Sequence, residues 1–348
     1  MHLTHFTAEY FRNIARAALE PCSGVNVVFG ENGQGKTSLL EAIWLFTGCR
    51  SFRCADSREM ISEGQDRSQL SAYFISNARE QSAQLEITKR RNLTLNGFTE
   101  DTPRRMLGTF PAVAFTPATL SLVQGGPGER RRFLDVALCM LTPAYAVKLS
   151  KYLKALAQRN ALLRHLNPDF DLLDTWDENL AMQAAQITDA RLKYLDQLVP
   201  VAVEFYAGIS ASREQLGIGI QLTGHDYASA RQTDIRRQLT TVGPHRDDLK
   251  LTLNNRSLRD FGSQGQQRTA ALALKLAEAT VLQQITGETP IALLDDVLSE
   301  LDTRRQSDLL CYLKDWQVFL TCCEPSHALH GSAGKVFCVA DGKITLSA

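Results

Sequence analysis

Gly30-Glu31-Asn32-Gly33-Gln34-Gly35-Lys36-Thr37 has the spacing G-x-x-x-x-G-K-[ST], the pattern that cradles a nucleoside triphosphate. Gly30, Gly33 and Gly35 let the backbone curl so that its N–H groups point at phosphate oxygens. Lys36 is expected to reach the β- and γ-phosphates, and Thr37 to offer a hydroxyl to Mg²⁺. Ser38 opens the helix that follows, whose positive end adds to the anion site. Such a loop needs a second Mg²⁺ carboxylate at the end of a nearby apolar strand. Ile291-Ala292-Leu293-Leu294 followed by Asp295 and Asp296 supplies one. Asp295 would hold the metal directly or through water, and Asp296 would orient the attacking water beyond the γ-phosphate. The blander alternative is that the two acids merely end a strand.

A third group, Ser263-Gln264-Gly265-Gln266-Gln267-Arg268, stands at a helix start upstream of that strand. Serine, glycine and a helix N-terminus make another anion site. One loop already serves the chain's own γ-phosphate, so the second points to a partner's nucleotide completed in trans. Ser299-Glu300-Leu301-Asp302 follows the paired acids and is placed to touch the same interface. Candidates for nucleic-acid contact are Arg104-Arg105, Arg130-Arg131-Arg132, and Lys148, Lys151 and Arg159. At about 100° per residue the last three fall within roughly 80° of one helix face. They could neutralise phosphates without reading sequence, although charge runs are commonly solvated faces. No interleaved aromatics suggest base stacking, so binding would be electrostatic and salt-sensitive.

The elements that must position these groups follow from the apolar pattern. Leu3 to Thr7 alternates, Tyr10 to Asn13 approaches the next strand, and Val25 to Phe29 is a buried strand feeding the loop. Ser38 to Phe46 is the helix after it. Leu70 to Ile75, Leu85 to Thr88 and Leu93 to Leu95 read as strands, the last turning at Asn96-Gly97 into Phe98-Thr99. Ala112 to Phe115 is another, ended at Thr116-Pro117. From there to about Leu239 the period is helical. One helix runs from Tyr145 to Leu163 and stops near Asn167-Pro168; a second, from about Glu178 to Leu198, ends at Pro200. These pair antiparallel as a compact lobe. Later come a strand at Leu249 to Leu253, a helix at Gln266 to Ile285, the Asp295 strand, a helix at Gln306 to Leu313 and a strand at Gln317 to Thr321. Val336 to Ala340 and Lys343 to Leu346 form a closing hairpin around Asp341-Gly342. The expected class is α/β, a P-loop NTPase with a β-rich flank. Residues 1–115 and 286–348 would form the nucleotide lobe, and 116–285 a helical lobe carrying Ser263.

Composition constrains the partner. The 348 residues are 44% hydrophobic and 22% charged with a formal charge of zero, so a nucleic-acid site must be a local patch. No run of about 18 apolar residues spans a membrane. The eight cysteines include no C-x-x-C pair, which argues against zinc and disulfide frameworks.

Taken in order, phosphate loop, serine-glycine signature, paired acids and S-x-L-D resemble an ABC-type ATPase head. Within that class the chain resembles the RecF family over nearly its whole length. Tyr10-Phe11-Arg12-Asn13, Gly30 to Ile43, Pro127 with Arg130 to Asp135, Gly243-Pro244-His245-Arg246-Asp247-Asp248, Ser263 to Arg268, and Leu293 to Asp302 carry the likeness. The resemblance implies an ATP- and Mg²⁺-dependent homodimer of heads, with Ser263, Gly265, Gln266 and Asp302 meeting the other copy's nucleotide. It implies binding of single- and double-stranded DNA at gaps or junctions. It also implies cooperation with RecR and RecO in loading RecA, a part in the SOS response, and a cytoplasmic setting. Arg12 and Asn13 would by the same resemblance contact nucleotide phosphate or base; the alternative is a solvated arginine at a strand end.

The chain departs from the pattern in three places. Most ABC heads carry Glu where Asp296 stands, and a side chain one carbon shorter suggests slow hydrolysis, as in a switch. Thr321-Cys322-Cys323-Glu324 replaces the usual switch histidine, and His327 is off register. Ala118 and Thr119 stand where the family tends to have acids. The reading is an ATP-dependent DNA-binding protein of recombinational repair and replication-gap maintenance, in which slow hydrolysis controls head dimerisation. The alternatives are a non-catalytic ATP-gated DNA scaffold and a small-molecule phosphotransferase, which would leave the Ser263 loop without a role. His245-Arg246-Asp247 with Asp260-Phe261-Gly262 mimics kinase motifs, but no V-A-I-K strand lysine accompanies it.

Overall fold

The structure is a computed structural model that describes residues 1–54, 56–166, 168–210, 214–323 and 333–347. Asn167, Glu324 and His327 lie outside the described residues. The chain divides into two compact units, Met1–Thr119 with Glu278–Ala348, and Leu120–Ala277. The boundaries expected at 115/116 and 285/286 differ from these because helix Gln264–Thr286 runs from one unit into the other.

The first unit is built on a twelve-stranded sheet. Ala112–Phe115, Ile291–Asp295, Val318–Cys322, Val25–Phe29 and Ala333–Ala340 lie side by side in parallel. Ile291, Ala292, Leu293 and Leu294 are all buried, the continuous apolar run expected of a strand covered on both faces. Lys343–Leu346 turns back from Ala333–Ala340 and leads to the flank. There Ile14–Leu19, His2–Phe11, Ser68–Ser76, Arg79–Ile87, Arg91–Leu95 and Phe98–Glu100 pair antiparallel in that order. Burial along Ser68–Ser76 alternates, with one face covered and the other open. Asn96-Gly97 and Asp341-Gly342 each close a two-residue hairpin with φ of 50° and 83°, and 49° and 68°. Those angles are the mirror-image turn that matches strand twist.

The second unit is mainly helical, with a three-stranded sheet of Leu216–Gln221, Asp248–Leu253 and Arg256–Ser257. Helix Pro143–Leu162 packs antiparallel to helix Phe170–Ser210. Arg159, late in the first, meets Asp177, early in the second, while Tyr145 and Arg191 share Asp135 further along. The sequence pattern ends the second helix at Pro200. The helix continues ten residues past it, to Ser210. Proline gives up one backbone hydrogen bond and crowds the carbonyl four residues back, at a cost of about 3 kcal/mol. Leu198, Ala202 and Tyr206 are buried on both sides of the break. Their packing outweighs the local penalty.

Candidate nucleotide site

The phosphate loop leaves strand Val25–Phe29 and enters helix Lys36–Trp44. Gly30 and Gly35 have φ of 153° and 119°, which only glycine adopts without strain. Space is as strict as angle, since a Cβ on Gly30 would lie 2.3 Å from the Val339 carbonyl oxygen. Gly30→Ala should therefore lower nucleotide affinity at least tenfold, measured by titration with a fluorescent ATP analogue. Wild-type affinity in that variant would show that the loop tolerates the shift.

Lys36 folds back over its own loop. Its Nζ donates to the carbonyl oxygens of Gly30 at 2.5 Å and Glu31 at 3.0 Å. Thr37 Oγ1 donates to Asp295 Oδ1 at 2.8 Å, and Thr321 Oγ1 donates to the same oxygen at 2.9 Å. The Asp296 backbone N–H donates to Thr321 Oγ1 at 2.9 Å. Thr321 thus fixes both acids, a role that sequence reading missed. Burial pushes the Asp295 carboxyl above the ordinary carboxylate range, and the charge of Asp296 pushes the same way against the hydrogen bonds of the two threonines. A divalent cation here would favour the ionised form. The donor set, a hydroxyl and a carboxylate, suits Mg²⁺. Among the described residues no three His, Cys, Asp or Glu side chains converge, so further ligands would come from phosphate oxygens and water.

These groups line one cavity of about 400 Å³, together with Arg12, Asn13, Asn32, Gly33, Gly35, Ser38 and Arg53. Arg12 is no solvated strand end. Its Nε and Nη2 donate to the two oxygens of Glu41 at 2.5 and 2.8 Å. Glu41 is wholly buried on the phosphate-loop helix and also accepts from Ser51. Asn13 bridges the loop: its Nδ2 donates to the Gly33 carbonyl, and its Oδ1 accepts from Ser38 Oγ at 2.8 Å. Arg53 on the cavity wall was not anticipated; it stands 3.4 Å from both Ser38 Oγ and Glu41 Oε2. Gln34 Oε1 accepts from the Asp341 N–H, tying the loop to the closing hairpin.

In the second unit Ser263 and Gln266 cap each other. Ser263 Oγ accepts from the Gln266 N–H at 3.3 Å, and Gln266 Oε1 accepts from the Ser263 N–H at 2.6 Å. This S-x-x-Q capping box opens helix Gln264–Thr286. Gln267 is buried, and its Nε2 donates to the carbonyls of Leu258, Arg259 and Gly262, pinning the loop from below. Ser263 and Gln264 are left exposed, and Gly265 half-buried, at its tip. In the first unit Asp302 caps helix Thr303–Tyr312, accepting from the Arg305 N–H.

The basic candidates separate. Arg104, Arg105, Arg132, Lys148 and Lys151 are exposed and Arg131 is half-buried. Arg130 and Arg159 are buried and cannot meet a phosphate. Arg130 forks onto both oxygens of Asp248 at 2.8 and 3.2 Å. Arg159, with no exposed surface, donates to Asp177 and Asp234 at 2.6 Å each. Both guanidiniums are spent on carboxylates inside the fold.

A family model described as the RecF/RecN/SMC N terminal domain matches residues 2–339. The DNA replication and repair protein RecF of Agathobacter rectalis is 35% identical, covering 96% of this chain and 96% of its own length. RecF of Lactobacillus delbrueckii subsp. bulgaricus is 38% identical over 92% of this chain and 90% of its own. Among solved structures, the recombination mediator protein RecF in its RecF-ATPrS form superposes with a TM-score of 0.93 at 32% identity, covering 100% of this chain and 98% of that one. An Smc head domain derived from Pyrococcus furiosus, at 16% identity and a TM-score of 0.57, shares the fold. The phosphate loop, paired acids and signature loop thus sit on a head fold that matches RecF across its length, and the chain belongs to the RecF family of DNA replication and repair proteins.

Proposed function

We propose that this chain binds ATP with Mg²⁺ at the phosphate loop, and that ATP joins two copies which release each other on slow hydrolysis. The observation that carries the reading is the Thr37–Asp295 hydrogen bond of 2.8 Å, which joins the loop hydroxyl to the acid strand in the cavity that also holds Lys36 and Asp296. Lys36 would leave the Gly30 and Glu31 carbonyls for the β- and γ-phosphates. Thr37 and Asp295 would hold Mg²⁺, which neutralises charge developing on the phosphates. Asp296 would orient water, and the exposed Ser263 tip of a second copy would cap the γ-phosphate. The solved RecF-ATPrS and RecF-ATP relatives support the nucleotide. DNA occupancy, on gapped or junction DNA, would be coupled to the dimer cycle. The family resemblance supports work with RecR and RecO in loading RecA, a part in the SOS response, and a cytoplasmic setting. No described helix is long and apolar enough to cross a membrane.

Sedimentation tests the cycle. Asp296→Asn should double in mass on adding ATP and stay doubled, because water is no longer oriented for attack. Ser263→Arg in that background should remain at monomer mass. An unchanged mass for Asp296→Asn with ATP sinks the dimer reading, and a doubled mass for the Ser263→Arg form sinks the trans role of the signature loop.

A further inference from the structure

The nucleotide reading leaves the stretch Gly243-Pro244-His245-Arg246-Asp247-Asp248 without a task. In the fold it is a loop whose polar side chains turn inward, with one exception. Burial holds His245 neutral, its ring pushed down to about 4. Its Nε2–H donates to the Thr240 carbonyl and its Nδ1 accepts from Tyr152 Oη at 2.6 Å. Asp247 Oδ1 accepts from the Thr223 N–H and hydroxyl at 2.9 and 3.1 Å, and Asp248 takes Arg130 and Lys250. Gly243 lets the loop seat itself on two tyrosines, since a Cβ there would lie 2.3 Å from Tyr227 Oη and 2.6 Å from Tyr152 Oη.

Arg246 is the exception, exposed at the outer end of the loop. Its Nε donates to the Thr240 carbonyl at 3.1 Å, which fixes the guanidinium without neutralising it. Arg131 is held the same way, with Nη1 donating to the Asp247 carbonyl at 2.8 Å. Neither has a carboxylate within ion-pairing distance among the described residues, because Asp135, Asp247 and Asp248 are turned to other partners. The backbone oxygens of one short loop therefore anchor two positive charges that no ion pair among the described residues takes up. Burial and the nearby charge of Arg191, with a smaller push from Arg246, hold the Arg131 guanidinium below its ordinary value, and the charges of Asp248 and Asp135 only partly oppose them. Each fork keeps N–H groups free, and a planar fork matches the two oxygens of a phosphodiester better than an ammonium does.

We propose that Arg131 and Arg246 together grip one phosphodiester of a DNA backbone. The proposal rests on the reading that this chain binds DNA, and it supplies a contact residue, Arg246, outside the basic runs visible in the sequence. Because the forks are anchored to carbonyls before DNA arrives, less side-chain freedom is lost on binding than at the free lysines Lys148 and Lys151. The contact is to backbone and reads no sequence.

The test is the salt dependence of binding of a labelled gapped duplex, followed by fluorescence anisotropy on the full chain with ATP. Arg131→Gln with Arg246→Gln should lower affinity about tenfold near physiological salt, and reduce the slope of log affinity against log salt by about 0.9, one phosphate's worth. Each single change should already lose most of that slope, because both hold the same phosphate. Arg131→Lys with Arg246→Lys keeps the charge and should keep most of the slope, separating lost contact from lost folding. If the wild-type chain binds and the double glutamine form binds equally with the same slope, the clamp is wrong and the DNA reading stands. If the wild-type chain shows no binding at low salt, both fall. Full affinity for duplex DNA with lost affinity for an acidic protein partner would likewise overturn the assignment to DNA.

Discussion

Lys36→Met should raise the dissociation constant for ATP at least a hundredfold and abolish ATP-dependent association. Lys36 is buried as a residue, and its ammonium already makes two hydrogen bonds inside the loop, to Gly30 and Glu31. On binding ATP the ammonium would leave those carbonyls, which water can serve, for the phosphate oxygens. A hydrogen bond from a charged donor is worth about 1.5–3 kcal/mol, and two directed at a triphosphate come to more than the roughly 2.7 kcal/mol that a hundredfold change requires. Methionine keeps a four-atom stem and removes the ammonium with its charge and its N–H donors. Thermal unfolding separates the loss of ligand from damage to the fold. Without nucleotide the variant should melt close to wild type, because the freed carbonyls face an open cavity where water can serve them. With ATP at about a hundred times its wild-type dissociation constant, wild type should gain about 2.7 kcal/mol and the variant none. An affinity within threefold of wild type by calorimetric titration would remove Lys36 from the site.

What was legible in the sequence is what local chemistry alone demands. A backbone that wraps phosphate needs glycine at left-handed angles, so Gly30, Gly33 and Gly35 announce themselves by spacing. An acid at the end of an all-apolar strand is similarly plain at Asp295. The structure adds what no spacing carries. Gly30 is obligatory partly because Val339 lies against it, and Arg12 is fixed by a Glu41 buried on the loop's own helix. Thr321 looked like the place of a missing histidine, yet its hydroxyl orders both acids. Pro200 shows the converse, a strong local stop overridden by burial on both sides. The Gly243 to Asp248 run carries only a likeness in the sequence. Its logic is tertiary, since Tyr152, Tyr227, Thr223 and Arg130 come from separate stretches to pin it.

Arg159 shows most plainly where the periodic argument stops. Along helix Pro143–Leu162, at about 100° per residue, Arg159 falls roughly 20° from Lys148 and roughly 20° from Tyr152 on the other side. Lys148 is exposed and Tyr152 is core, so the angle places Arg159 at the rim and cannot decide which way it faces. Tertiary charge decides it. Arg159 donates to Asp177, to Asp234 and to Thr240, all buried. Arg159→Met should consequently destabilise the helical unit by about 3–5 kcal/mol, the cost of stranding a buried carboxylate. That corresponds to a fall of roughly 6–20 °C in melting midpoint for a domain of this size. The two aspartates should not suffer equally. Asp177 keeps Arg231, whose Nη2 lies 2.6 Å from it, whereas among the described residues the Asp234 carboxylate keeps only the N–H and hydroxyl of Thr241. Adding Asp234→Asn to Arg159→Met should therefore recover a large part of the loss, and adding Asp177→Asn much less. A double-mutant cycle by chemical denaturation measures both couplings. Once corrected for the folded fraction, Arg159→Met should bind DNA as wild type does. Wild-type stability with weakened DNA binding would return Arg159 to the surface and overturn the buried cluster.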